Sequence, residues 1–103
     1  MLVRIVRMTF RPDRLDAFRS LFEQSAPKIR SAPGCRFLSL LEDARYPNIL
    51  ATYSLWETPE DLERYRASEL FRSTWAQTKP HFAAPPVANS FRAVVGPTPG
   101  EAL

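Results

Sequence analysis

The side chains of this sequence best suited to chemistry are aromatic, and they gather in its second half: Tyr53, Trp56, Tyr65, Phe71 and Trp75, with the histidine His81 close behind. Flat apolar rings interleaved with phenolic hydroxyls suit a pocket for a small aromatic molecule, because rings supply contact area and hydroxyls fix orientation. Trp56, Tyr65 and His81 are the candidates for catalysis. The Trp56 indole would pack a substrate ring, and the Tyr65 phenol and His81 imidazole could hydrogen-bond it or move a proton. Asn48, Ser54, Tyr53, Phe71 and Trp75 are the candidates for substrate binding. Any of these rings could instead serve the core, and His81 could bind the last carbonyls of a helix.

Other chemistries have little to stand on. With three glycines in 103 residues there is no glycine-rich phosphate loop, and one histidine and one cysteine leave no zinc site. Neither a metal nor a cofactor is expected. Cys35 follows Pro33-Gly34 with no histidine near it, so it reads as a small buried apolar residue. The formal charge of +3 comes from arginines dispersed among acidic residues, which argues against a nucleic-acid partner. No run approaches the roughly 20 apolar residues that cross a bilayer, so no membrane role is expected. The early charges Arg4 and Arg7 break any leader-like apolar region, which makes the cytoplasm the expected compartment.

The elements that must position these residues follow from pattern. Leu2 to Phe10 is rich in Val, Ile and Phe and reads as a strand. Pro12 leads into a helix over about Asp13 to Ser31, whose Leu15, Phe18, Phe22, Ala26 and Ile29 form one apolar stripe. Pro27 inside it predicts a kink or break near Ser25. After the turn Ala32-Pro33-Gly34, Cys35 to Glu42 and Ile49 to Trp56 are two strands joined by a hairpin loop. Thr58-Pro59-Glu60-Asp61 starts a second helix, and Ser68-Glu69 caps afresh, so this region divides into pieces over about Pro59 to Ala67 and Glu69 to Lys79. Val87 to Val95 is a fourth strand. Residues 1–95 form a single domain, and the Pro- and Gly-rich stretch 96–103 reads as a mobile tail.

Strand, helix, strand, strand, helix, strand is the order of an α+β, ferredoxin-like βαββαβ domain: a four-stranded antiparallel sheet with its helices on one face. The helices cannot cover the other face. Strands one to three carry large apolar residues at both parities, so that second face calls for a cover of its own, and a homodimer supplies it.

Pro47-Asn48, the stretch Tyr53-Ser54-Leu55-Trp56-Glu57-Thr58, then Leu62, Tyr65, Ser68, Leu70-Phe71 and Trp75, with Pro33-Gly34-Cys35 earlier, resemble the antibiotic biosynthesis monooxygenase family from about Leu2 to Phe91. The resemblance implies a dimeric α+β barrel and cofactor-independent oxygenation of a phenol, quinol or polyketide-like ring, with haem degradation in one branch. Trp56 matches the family's strand-end tryptophan, which lines the pocket in several members. Many members carry a histidine nine residues later. Tyr65 stands there instead, which argues against haem breakdown. The alternatives are a non-catalytic binding or stress-response module using the same pocket, and a purely structural dimer.

Overall fold

A computed structural model describes residues 1–98. The strands are β1 (Leu2–Thr9), β2 (Cys35–Glu42), β3 (Ile49–Trp56) and β4 (Val87–Phe91), and the helices are α1 (Leu15–Arg30), α2 (Pro59–Arg66) and α3 (Glu69–Thr78). The strands pair antiparallel in the order β2-β3-β1-β4, the ferredoxin-like topology. β4 ends at Phe91, short of the expected Val95. Residues 99–103 of the expected tail lie outside the described residues.

Register sorts every strand residue to one of two faces. Leu2, Arg4, Val6 and Met8 of β1 stand opposite Trp56, Ser54, Thr52 and Leu50 of β3, and this set faces the helices. The apolar stripe of α1 buries Phe18, Ala26 and Ile29 against that face. Three clusters result: one around Met8, Phe10, Phe18 and Leu50, one around Leu2, Trp56 and Leu62, and one around Ala26, Ile29 and Leu38. The other face carries Val3, Ile5, Phe37, Leu41, Tyr53, Leu55, Val87 and Phe91.

Of the kink or break expected near Ser25, the break does not occur: α1 continues through Pro27 to Arg30. Pro27 sits in the last turns with its ring exposed, so the missing donor strands only a carbonyl that water can satisfy. The burial of Ala26 and Ile29 on either side outweighs the remaining strain.

Gly34 turns the chain from α1 into β2 with φ at 83°, in the left-handed region where a side chain is unfavourable. Its carbonyl accepts a hydrogen bond from Glu57 N at 2.9 Å, and a Cβ there would overlap the Asp61 carboxyl group. Gly34→Ala is expected to cost about 2–3 kcal/mol, seen as a lowered midpoint in urea unfolding. A midpoint unchanged from the parent would mean that neither the dihedral nor the overlap matters.

Candidate functional site

The second helical region is built by its caps. Thr58 Oγ1 accepts from Asp61 N at 3.1 Å and Pro59 occupies the first turn, which starts α2. At the corner, Ser68 Oγ donates to Tyr65 O at 2.6 Å while accepting from Phe71 N at 3.2 Å. One hydroxyl thus ends α2 and starts α3. The turn it makes brings the Tyr65 and Phe71 rings edge to face at 5.3 Å.

From that corner a continuous aromatic wall extends both ways. Tyr65 stacks on Trp56 at 5.0 Å, Phe71 stacks on Trp75 at 6.0 Å, and Trp75 meets Phe82 edge on at 5.6 Å. Between this wall, α1 and the inner sheet face lies a cavity of about 280 Å³. That is close to the lower bound of small-molecule sites, so it suits a compact ligand. Thr52, Ser54 and Trp56 of β3, Tyr65 and Arg66 of α2, Phe71, Thr74 and Trp75 of α3, and Arg4 of β1 all line it.

The Trp56 indole is 1% exposed and donates to Ser54 Oγ at 3.0 Å. Ser54 in turn reaches the Arg4 carbonyl at 3.5 Å. The indole's only donor is therefore spent inside the protein, leaving its ring as a rigid base for Tyr65. Among the described residues the Tyr65 phenol makes no hydrogen bond of its own, and burial, with a smaller contribution from nearby Cys35, pushes its pKa up to about 12. At neutral pH it is a hydrogen-bond donor and not a base. Burial also pushes the Cys35 thiol up, which keeps it protonated and inert.

The structure therefore brings together Trp56, Ser54, Tyr65, Phe71 and Trp75, and it places the other candidates elsewhere. Tyr53 is on the opposite face of β3, edge on to Phe37 at 5.8 Å. Asn48 precedes β3 at the end far from Trp56, about 26 Å along the strand at 3.3 Å per residue. Its amide donates to Phe10 O at 3.0 Å, clamping β1 to β3. His81 lies in the turn after α3, where its carbonyl accepts from Arg11 N at 3.0 Å. Its Nδ1 is buried with no hydrogen-bond partner among the described residues, and it does not line the cavity.

Arg4 and Arg66 are cavity-lining side chains that were not among the candidates read from the sequence. Arg4 gave a signal, as a charge among Leu2, Val6, Met8 and Phe10 on the core-facing parity of β1. Arg66 gave another, four residues after the buried Leu62 on α2. Among the described residues no group of three His, Cys, Asp or Glu side chains could hold a metal ion. No helix among them is long and apolar enough to cross a membrane.

A sequence profile described as antibiotic biosynthesis monooxygenase matches residues 1–77, which spans β1 to most of α3 and every part of the aromatic wall up to Trp75. The chain belongs to that family. Solved structures agree on the fold. An antibiotic biosynthesis monooxygenase crystal structure superposes with a TM-score of 0.86 at 22% identity, covering 92% of this chain and 100% of that one. Rv0793 from Mycobacterium tuberculosis gives 0.85 at 23% identity over 94% and 98%. PA3566 from Pseudomonas aeruginosa gives 0.78 at 17% identity over 91% and 94%. No curated protein matches this chain in sequence. Family membership supports a monooxygenase-like activity of a general kind, without naming a substrate.

Proposed function

We propose that this family member is a cofactor-independent monooxygenase acting on a small phenolic, quinol or polyketide-like ring held in the cavity. The observation that supports it most is the aromatic-walled cavity with the Tyr65 phenol in its wall, protonated and unengaged. An activated ring methylene flanked by a carbonyl loses a proton to water at the open end of the cavity, giving an enolate. The anion passes one electron to O₂, and the two radicals join through a new C–O bond. The resulting hydroperoxide, once protonated, loses water and leaves a ketone, so one oxygen atom enters the product and the other leaves as water. The protein's part is to shield the ring from bulk water, orient it and stabilise the anion. Tyr65 does the last by donating to the substrate oxygen. Trp56 supports Tyr65 from behind, and Phe71 and Trp75 pack the ring.

Oxygen uptake with a panel of anthrones and hydroquinones tests this reading. Turnover above the spontaneous rate is expected, and Tyr65→Phe should lower kcat/KM about 3- to 10-fold, the worth of one hydrogen bond. Because the phenol titrates near 12, no limb of the pH–rate profile between about pH 6 and 9 should belong to it. The same shift makes folding stability fall as pH rises from 10.0, the ordinary tyrosine value, towards about 12, since only the folded state still holds the proton there. Turnover at the spontaneous rate for every ring would sink the catalytic reading. Ligand-dependent stabilisation without product would then favour the non-catalytic binding module.

The working unit of this proposal is a homodimer. Phe37, Leu41, Val87 and Phe91 on the open sheet face are 40%, 48%, 50% and 51% exposed, an apolar surface of the kind that calls for a partner. A second copy, packed face to face, satisfies it.

A further inference from the structure

One part of the cavity wall is unlike the rest. Arg4 from β1 and Arg66 from the last turn of α2 both line it, in a surface otherwise made mainly of rings and aliphatic groups. Arg4 Nη1 donates to Ser90 Oγ at 3.1 Å, and Arg66 Nη1 donates to Glu63 Oε1 at 3.1 Å. Among the described residues, the Nη2 and Nε groups of both guanidiniums make no hydrogen bond, and no carboxylate forms an ion pair with Arg4. Burial and the neighbouring Arg66 cation both hold the Arg4 pKa below its ordinary value, and Glu63 offsets them only in part.

Two like charges beside a mostly apolar cavity disfavour one another, and an arginine removed from water without a counter-charge is costly. Two guanidiniums against the single Glu63 carboxylate leave one positive charge unbalanced at this end of the cavity. A monoanion restores the balance. The free edges are planar forks of N–H donors, the shape that binds a carboxylate through two parallel hydrogen bonds. The Arg66 side chain is 44% exposed, so this end meets water and a charged group can reach it without crossing the apolar interior.

The geometry points to an aromatic acid as the ligand: a carboxylate held by Arg4 and Arg66, with its ring along Tyr65, Phe71 and Trp75. This rests on the cavity being the ligand site proposed above, and it narrows the substrate class to rings that carry a permanent negative charge. Arg4 and Arg66 are binding residues here, setting which rings are accepted and which way round they lie.

The test is direct binding, read by quenching of tryptophan fluorescence or by calorimetry, with 2-naphthoate, its methyl ester, 2-naphthol and 2-naphthyl phosphate. The naphthoate is expected to bind at least about tenfold tighter than the ester, the worth of a hydrogen-bonded charge pair. Arg66→Ala and Arg4→Ala should each remove most of that preference by weakening naphthoate binding far more than ester binding, while Arg4→Lys keeps part of it. If Arg4→Ala fails to fold, Arg66→Ala, at a half-exposed helix position, carries the test alone. Equal binding of acid and ester, or a preference that survives in Arg66→Ala, overturns the assignment of a carboxylate. Tighter binding of the phosphate than of the naphthoate also overturns it. None of these readouts requires oxygen, so they separate from the proposed reaction: failure of every probe to bind removes the ligand site itself, whereas selective acid binding without turnover removes only the oxygenation.

Discussion

Trp56→Ala is expected to cost about 3–5 kcal/mol of folding stability, enough to lower the thermal midpoint by 12 °C or more. Trp56 is among the largest fully buried side chains and packs with Leu2 and Leu62 at the end of β3. Removing it leaves a cavity beneath Tyr65, deletes a stacked pair worth about 0.5–1.5 kcal/mol, and strips Ser54 Oγ of its indole donor. Against a total stability of about 5–15 kcal/mol, that loss leaves a fragile protein. A fall in turnover with this variant would therefore say little about chemistry. Trp56→Phe keeps a ring under Tyr65 and removes only the N–H and some volume, so it should cost about 1–2 kcal/mol and preserve most of any activity. Thermal melts of both variants, recorded beside oxygen uptake, check the ranking. A Trp56→Ala midpoint within 3 °C of the parent would show that the indole is dispensable to the fold and that its role lies with the ligand.

How much of this was legible in the sequence depends on which physics was asked to decide. Local signals were sufficient where they act locally: the Thr58 and Ser68 caps set the two helical pieces, and the parity of apolar residues placed β2 and β3 at Cys35–Glu42 and Ile49–Trp56. They failed where tertiary packing overrides them. Pro27 is a helix breaker in isolation, yet Ala26 and Ile29 are pinned to the sheet on either side of it. The site divided along the same line. Trp56, Ser54, Tyr65, Phe71 and Trp75 converge because they share one sheet face or one helical corner, and both are matters of spacing. Tyr53 lies one residue from Trp56's parity, and a single residue is enough to send a side chain to the opposite face of a strand. Asn48 and His81 depend on where the ends of β3 and α3 fall in space, which spacing alone does not reveal. Arg4 shows the reverse case. Its charge sits on the core-facing parity of a strand, but only the structure shows that Arg66, from a distant part of the chain, lines the wall of the same cavity.

The open sheet face supplies the other large expected effect. Phe91 on β4 and Leu41 on β2 stand at opposite edges of that face and are about half exposed, so a charge at either costs the isolated subunit little, within about 0.5 kcal/mol. In a two-fold dimer each substitution occurs twice, and an aspartate at Phe91 would be buried beside Val3 and Leu55 with no cation at its register position, whereas one at Leu41 shares its cross-strand row with Arg7. A buried charge left uncompensated costs about 3–5 kcal/mol, so Phe91→Asp should raise the dimer dissociation constant at least about a hundredfold, and Leu41→Asp by less. Sedimentation at micromolar concentration is expected to show the parent at twice the 11.8 kDa chain mass and Phe91→Asp at that mass itself, still folded by circular dichroism. If the parent sediments as one chain, the exposed face has no copy of itself to cover it. The cavity would not be touched by that result, because its walls come from the inner face of the sheet and from helices of the same chain.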